Sequence, residues 1–279
     1  MTPDLRLPAT QRRIMRAVRE NRVKRMWEDG QPALGGWLTV PSSFSAEIFA
    51  RAGFDWTTVD LQHGIIDYQA AVTMLQAISI TETMPFVRVP WNEPGIIMKS
   101  LDAGAYGVII PMINSRSEAE AAVAACRYAP RGVRSYGPVR AAMYAGRDYF
   151  AHADDEVACI AMVETAEALA NLDDILSVRG VDAVYIGPSD LSVSLGLPPA
   201  YDHEEPAFSG AIERVVDACR KHSVVPGIHA GGPAVARKRI EQGFLMIEMC
   251  DDAGSLARSA AADLKAVRGS GGSEVGPTV

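Results

Sequence analysis

The chain reads as an α/β protein, a closed (β/α)8 TIM barrel with an extra N-terminal helix, and three observations carry that reading. Short runs rich in β-branched residues recur eight times, helix-like segments lie between them, and the runs are near-continuously apolar rather than alternating. Such strands belong to a parallel sheet covered by helices, and eight strand–helix units are the number that closes a barrel. An open doubly wound sheet is the alternative, but no Gly-x-Gly-x-x-Gly turn follows the first strand. At 279 residues the length suits one such domain. The expected division is a helical extension over 1–30, a barrel over 31–268 and a flexible tail over 269–279.

Taken in order, the first 30 residues set eight Lys/Arg against four acids and lack the apolar core of a secretory signal, which points to an amphipathic helix. The strand candidates are GWLTV (36–40), WTTVDL (56–61), PFVRV (85–89), GVIIPMI (107–113), ACIAMV (158–163), DAVYIG (182–187), VVPGI (224–228) and FLMIEM (244–249). DYQAAVTMLQAIS is the helix after the second strand and SRSEAEAAVAACRYA the helix after the fourth. In the latter, Ser117 and Glu120 have capping-box spacing. The stretch 127–155 has no strand of its own and carries RGVRSYGPVRA. It is expected to be a functional loop or lid between strands four and five, overhanging the strand tips. The Gly/Ser-rich end GSGGSEVGPTV has no apolar periodicity and is expected to be disordered.

Composition narrows the class. A net charge of −7 speaks against nucleic acid or an anionic membrane as the main partner. No apolar stretch approaches the roughly 18 residues that a membrane span needs. Cys126, Cys159, Cys219 and Cys250 are far apart and form no C-x-x-C pair, which fits buried thiols in a reducing cytoplasm. The expectation is a cytoplasmic enzyme acting on small molecules.

Chemistry in a barrel gathers at the C-terminal ends of the strands. There the second strand carries Asp60, Gln62 and His63, the third Arg88, the fifth Glu164, the sixth Gly187, Pro188, Ser189 and Asp190, and the seventh His229. Glu164 and Asp190 fall on neighbouring strands about 4.8 Å apart. Two carboxylates at that spacing repel unless a cation lies between them, and oxygen-only ligands suit a hard divalent ion. Alternatively, both acids cap the helices that follow. Arg88 in an apolar strand needs an anionic partner, either a barrel salt bridge or a developing oxyanion. Asp60 stands three residues before His63, near enough to orient its ring; otherwise His63 is a surface histidine. His229 has no chemical neighbour in sequence and reads as an ordinary histidine.

These residues in this order resemble the HpcH/HpaI family of metal-dependent class II pyruvate aldolases. The likeness spans about residues 35–252, through SAEIFARAGFDWTTVDLQHG, VRVPWNEPGIIMKSLDAGAYGVIIPMI, YAPRGVRSYGP, MVETAEALANLDDIL and GVDAVYIGPSDLSVSLG. The resemblance implies that Glu164 and Asp190 hold a divalent cation (Mg²⁺, Mn²⁺ or Co²⁺). It implies that Arg88 faces the keto oxygen of pyruvate and that His63, oriented by Asp60, is the acid/base. The backbone N–H groups of Ser189 and Asp190, after Gly187 and Pro188, would hold the pyruvate carboxylate, a helix N-terminus being suited to an anion. Gln62 and Met162 depart from some relatives, which affects the hydrogen bonds around pyruvate and the choice of aldehyde. The implied reaction is reversible cleavage of a 4-hydroxy-2-oxo acid to pyruvate and an aldehyde, in a homo-oligomer, a hexamer. Two rivals are a malyl- or citramalyl-CoA-type lyase, whose CoA phosphates would meet Arg131, Arg134 and Arg140, and a non-catalytic barrel that binds an oxo acid.

Overall fold

Eight strands pair in chain order, every neighbour parallel, and the last closes on the first. The computed structural model describes residues 18–269. Its strands are β1 (Ala33–Leu38), β2 (Trp56–Asp60), β3 (Met84–Arg88), β4 (Gly107–Ile110), β5 (Ala158–Met162), β6 (Ala183–Ile186), β7 (Val225–His229) and β8 (Met246–Asp251). The helices are α1 (Arg22–Glu28), α2 (Ser43–Arg51), α3 (Tyr68–Ile78), α4 (Pro94–Asp102), α5 (Arg116–Cys126), α6 (Val139–Ala145), α7 (Tyr149–Glu156), α8 (Ala166–Ala170), α9 (Leu172–Leu176), α10 (Pro188–Ser194), α11 (Pro206–His222), α12 (Pro233–Glu241) and α13 (Asp252–Arg268).

The strands are apolar on both faces because they bury both. One layer fills the barrel with Trp37, Trp56, Phe86, Ile160, Tyr185 and Met246. The other lies between sheet and helices, where Val59, Val108, Val184 and Ile247 meet Leu75, Leu101 and Val215. Side chains of this size contribute about 1.5–3 kcal/mol each when fully buried. β1 starts three residues earlier than the apolar run suggests, because glycines form part of it. A Cβ on Gly35 would collide with the indole of Trp56, so the glycine makes room for a large buried ring.

Helix α1 closes the floor of the barrel. Its Val23 and Trp27 join the interior layer, and the Trp27 indole donates to the Leu245 carbonyl at 3.0 Å. The helix is therefore a structural plug, with Lys24 paired to Asp182 at 2.8 Å and Arg25 to Glu156 at 2.9 Å. The basic residues before position 18 and the tail from position 270 lie outside the described residues.

The stretch 127–155 overturns the expectation of a lid. It forms α6 and most of α7, with a parallel bridge between Tyr128 and Arg134. Because α5 has already returned the chain to the start of the barrel, the segment sits at the N-terminal ends of the strands. Tyr128, Ala141, Tyr149 and Ala153 pack there with Val23, Trp27 and Tyr106. Its arginines are engaged: Arg134 with Asp102 at 2.7 Å, Arg131 with Asp155 at 2.8 Å, and Arg140 with the Ala103 carbonyl and with Ser79. The capping pair of α5 also lies two residues upstream of its expected place. Ser115 is the N-cap and accepts from the Glu118 amide, while Glu120 pairs with Arg116.

Candidate active site

At the other end of the barrel, β2 and β3 place Asp60 and Arg88 side by side in register. The guanidinium donates from Nε to Oδ1 at 2.8 Å and from Nη2 to Oδ2 at 2.6 Å. Asp60 also accepts from the amides of Gln62, His63 and Gly64 at 3.0, 3.4 and 3.1 Å. Burial pushes the Asp60 carboxyl upward, but Arg88 and the amides outweigh it and hold it below the ordinary carboxylate range. Arg88 thus has the anionic partner its position demanded. The guanidinium also lies over the indole of Trp37 at 4.9 Å.

This pairing corrects the expected Asp60–His63 dyad. Both Asp60 oxygens are taken by Arg88 and by the turn, so the acid holds His63 by its backbone N–H, and the imidazole is exposed. Gln62 lies beside it with a buried Oε1 that has no hydrogen-bond partner among the described residues.

Glu164 follows β5 and is 2% exposed. Its Oε1 accepts from the Met112 amide at 2.8 Å. Met112 adopts φ 57, a left-handed conformation costly for a non-glycine residue. A Cβ on Gly187 would collide with Glu164 Oε2, so that glycine at the end of β6 keeps a space the carboxylate fills. Neither acid is a helix N-cap: Thr165 caps α8 and Gly187 stands at the cap of α10, placing Asp190 in its first turn. Burial pushes the Glu164 carboxyl up to about 7, and the negative charge of Asp190 adds to it against the Met112 amide and Arg88.

These two acids fit a hard divalent cation. They are oxygen donors, the charge of Asp190 adds to the cost of ionising the buried Glu164, and a cation would remove that cost. No group of three or more His, Cys, Asp or Glu converges among the described residues, so an ion here would have two protein ligands.

Sequence reading missed Trp37 and Glu248, and it set His229 aside. His229 and Glu248 are register partners on β7 and β8, their side chains 3.3 Å apart, with Glu248 wholly buried. A carboxylate inside the apolar run FLMIEM raises the same question as Arg88 in FVRV, and that signal could have found it.

A parallel eight-stranded barrel whose C-terminal mouth gathers a locked guanidinium, two close carboxylates and an exposed imidazole is an α/β-barrel enzyme. The chain belongs to the HpcH/HpaI aldolase/citrate lyase family, whose model matches residues 34–259. It is 43% identical over 250 residues to a hydroxypyruvate/pyruvate aldolase of Rhizorhabdus wittichii, covering 88% of this chain and 100% of that one. It is 38% identical over 246 residues to the 4-hydroxy-2-oxo-heptane-1,7-dioate aldolase of Escherichia coli, covering 87% and 93%. Among solved structures, an HpcH/HpaI aldolase/citrate lyase family protein from Burkholderia cenocepacia superposes with a TM-score of 0.83 at 35% identity, covering 89% of this chain and 99% of that one.

Proposed function

We propose that the protein is a divalent-metal-dependent aldolase that cleaves 4-hydroxy-2-oxo acids reversibly to pyruvate and an aldehyde through pyruvate enolate. The observation that carries this is the buried Glu164 beside Asp190, across the mouth from an Arg88 that Asp60 holds rigid. Glu164 and Asp190 would hold the cation in this reading, and it would supply positive charge where the keto oxygen gains negative charge.

The chain's own groups do the rest. Arg88 uses Nε and Nη2 on Asp60, which leaves Nη1 for the keto oxygen, where charge develops as the C3–C4 bond breaks. A fixed donor there is worth several kcal/mol because it needs no reorganisation. The Ser189 and Asp190 amides, at a helix start whose N-cap Gly187 supplies no side-chain oxygen, hold the pyruvate carboxylate beside Pro188. Gln62, whose buried Oε1 has no partner among the described residues, is the amide assigned to a hydroxyl of the substrate. His63 takes the C4 hydroxyl proton, its freedom from Asp60 leaving the ring able to meet the substrate. Lys99 lies within α4, away from the strand tips, so no Schiff base is invoked. The arginines that would hold CoA phosphates lie at the floor of the barrel, which favours the aldolase over the acyl-CoA lyase.

The test is pyruvate release from a 4-hydroxy-2-oxo acid. Dialysis against EDTA is expected to abolish it and Mg²⁺, Mn²⁺ or Co²⁺ to restore it; full activity in a metal-free preparation would overturn the proposal. The same reading makes the protein a cytoplasmic homo-oligomer, a hexamer, with Leu256, Leu264 and Val267 exposed along α13 for packing between protomers. A monomer in light scattering at micromolar concentration would remove that part.

A further inference from the structure

Arg88 is held on two sides, by an acid and by a ring. Asp60 takes two of its donors in parallel bonds, which fixes the guanidinium along the line of the carboxylate. Such a pair can still rock about that line as a unit. Trp37, from β1, stands against the rocking. Its ring centre lies 4.9 Å from the guanidinium carbon, and its indole N–H faces the Asp60 carboxyl. Trp37 is 2% exposed, so it lies beneath the mouth and not in it. The ring is itself built into place. Tyr185 stacks on it at 5.7 Å, while Trp56 and His229 meet it edge to face at 6.5 and 5.0 Å. His229 is fixed in turn, with Nε2 3.3 Å from Glu248 Oε2 and Nδ1 3.4 Å from the Tyr185 hydroxyl. Glu248 Oε2 accepts from the Ala230 and Gly231 amides at 3.2 and 2.9 Å. Both nitrogens of the imidazole are thus engaged by the frame. Burial and then the charge of Arg88 push it down to about 3, so the ring beside Trp37 is neutral and adds no second positive charge near the guanidinium.

We propose that Trp37 is a positioning residue: together with Asp60 it aims the Nη1 of Arg88 at the keto oxygen, and Tyr185, Trp56 and His229 hold Trp37 in place. This rests on the aldolase reading, in which Arg88 meets the keto oxygen as it gains negative charge. A donor aids such a step most when it need not reorganise, and a guanidinium free to rock would have to. A ring face suits the task, because the attraction between a cation and an indole weakens as the charge moves off the face. The same chain of contacts gives His229 and Glu248 a purpose at the ends of two apolar strands: they brace the ring that braces Arg88.

The test is a double-mutant cycle between Trp37 and Arg88 in the metal-loaded enzyme. Trp37→Phe and Trp37→Leu are each made in wild type and in Arg88→Gln, which leaves Asp60 an amide donor but removes the cation. The rate measured is exchange of pyruvate methyl protons, which needs no aldehyde and builds charge on the same oxygen. In wild type, Trp37→Leu is expected to lower kcat on the order of a hundred-fold, as a misplacement of about 1 Å does. KM for pyruvate should change by less than about three-fold, the mark of an interaction made as charge develops. Trp37→Phe, which keeps a ring face, should lose between about two-fold and about ten-fold. In Arg88→Gln both substitutions should lower the rate by less than about two-fold, since no guanidinium remains to aim. Oxalate, whose second carboxylate puts negative charge where the keto oxygen gains it, gives a readout without turnover. Its Kd by calorimetry should weaken about as much as kcat falls, and the same cycle in Kd decides where exchange in Arg88→Gln is too slow to follow. Equal losses in the two Arg88 backgrounds, or no loss in either, would overturn the inference. If Trp37→Leu does not fold, Trp37→Phe carries the cycle on the same terms. Absence of pyruvate exchange in metal-loaded wild type would instead remove the aldolase reading itself.

Discussion

Asp60–Arg88 and His229–Glu248 are both cross-strand pairs set by register, yet their electrostatics are opposite. Arg88 keeps Asp60 ionised, whereas burial pushes Glu248 up to about 7 and His229 down to about 3. The 3.3 Å contact between the latter two therefore joins neutral groups, and it hides a pH dependence. Unfolded, His and Glu titrate near about 6.5 and about 4.3. Between those values the folded pair carries the Glu proton and the unfolded chain the His proton, so the counts match and stability is flat. In Glu248→Gln only His229 remains; the unfolded chain then binds more protons, and stability rises with pH until about 6.5. In His229→Leu only Glu248 remains; the folded protein binds more protons, and stability falls from about pH 4.3 to about 7. Each slope is about 1.4 kcal/mol per pH unit, on the order of 2 kcal/mol between pH 5 and 6.5. Urea midpoints at pH 5 and 6.5 should move in opposite directions in the two variants; parallel movement would refute the neutral pair. Sequence showed that Arg88 needed a partner but not which one, because the choice between His63 and Arg88 for Asp60 is made by strand register. His229 was passed over for the same reason, its partner being 19 residues away on the next strand.

At the scale of elements, the strand–turn–helix joint at the end of β6 does two jobs with one glycine. Gly187 ends the strand and opens α10, and its missing Cβ leaves the space that Glu164 Oε2 occupies. Gly187→Ala should fold, since φ −87 at this position suits any residue. The new methyl must push the carboxylate out of the space it fills, and misplacement by about 1 Å can cost about a hundred-fold in rate. The expected outcome is a near-native circular dichroism spectrum with a loss of that order in kcat/KM and a weaker response to added metal. An unaffected kcat/KM would show that Glu164 is not held to one position. The sequence displayed GPSD as a strand tip followed by a helix start, so the joint was legible. The contact across to Glu164 was not, because it depends on how β5 and β6 lie beside each other. The caps were legible only to within two residues, since SRSEAE offers both Ser115 and Ser117 and only the path of the chain chooses between them.

Across the whole molecule, the barrel separates a floor that stabilises from a mouth that reacts, and the 127–155 stretch belongs to the floor. Eight apolar runs disclosed the barrel, but the order strand, helix, insertion, strand could be read as a lid only by overlooking that the helix reverses the chain's position. The consequence for Arg134 is definite. Its side chain is fully buried, donates to Asp102 at 2.7 Å and lies between the rings of Tyr128 and Tyr149. Arg134→Ala strands Asp102 and opens a cavity, a loss of about 3 kcal/mol for a largely buried pair. In a domain of this size that lowers Tm by roughly 6–12 °C. Because the site lies at the opposite ends of the strands, the ranking of aldehydes by kcat/KM should stay as in wild type at temperatures where the variant is folded. Thermal melts and the acceptor panel together decide it: a reordered panel with an unchanged Tm would put the segment back over the active site.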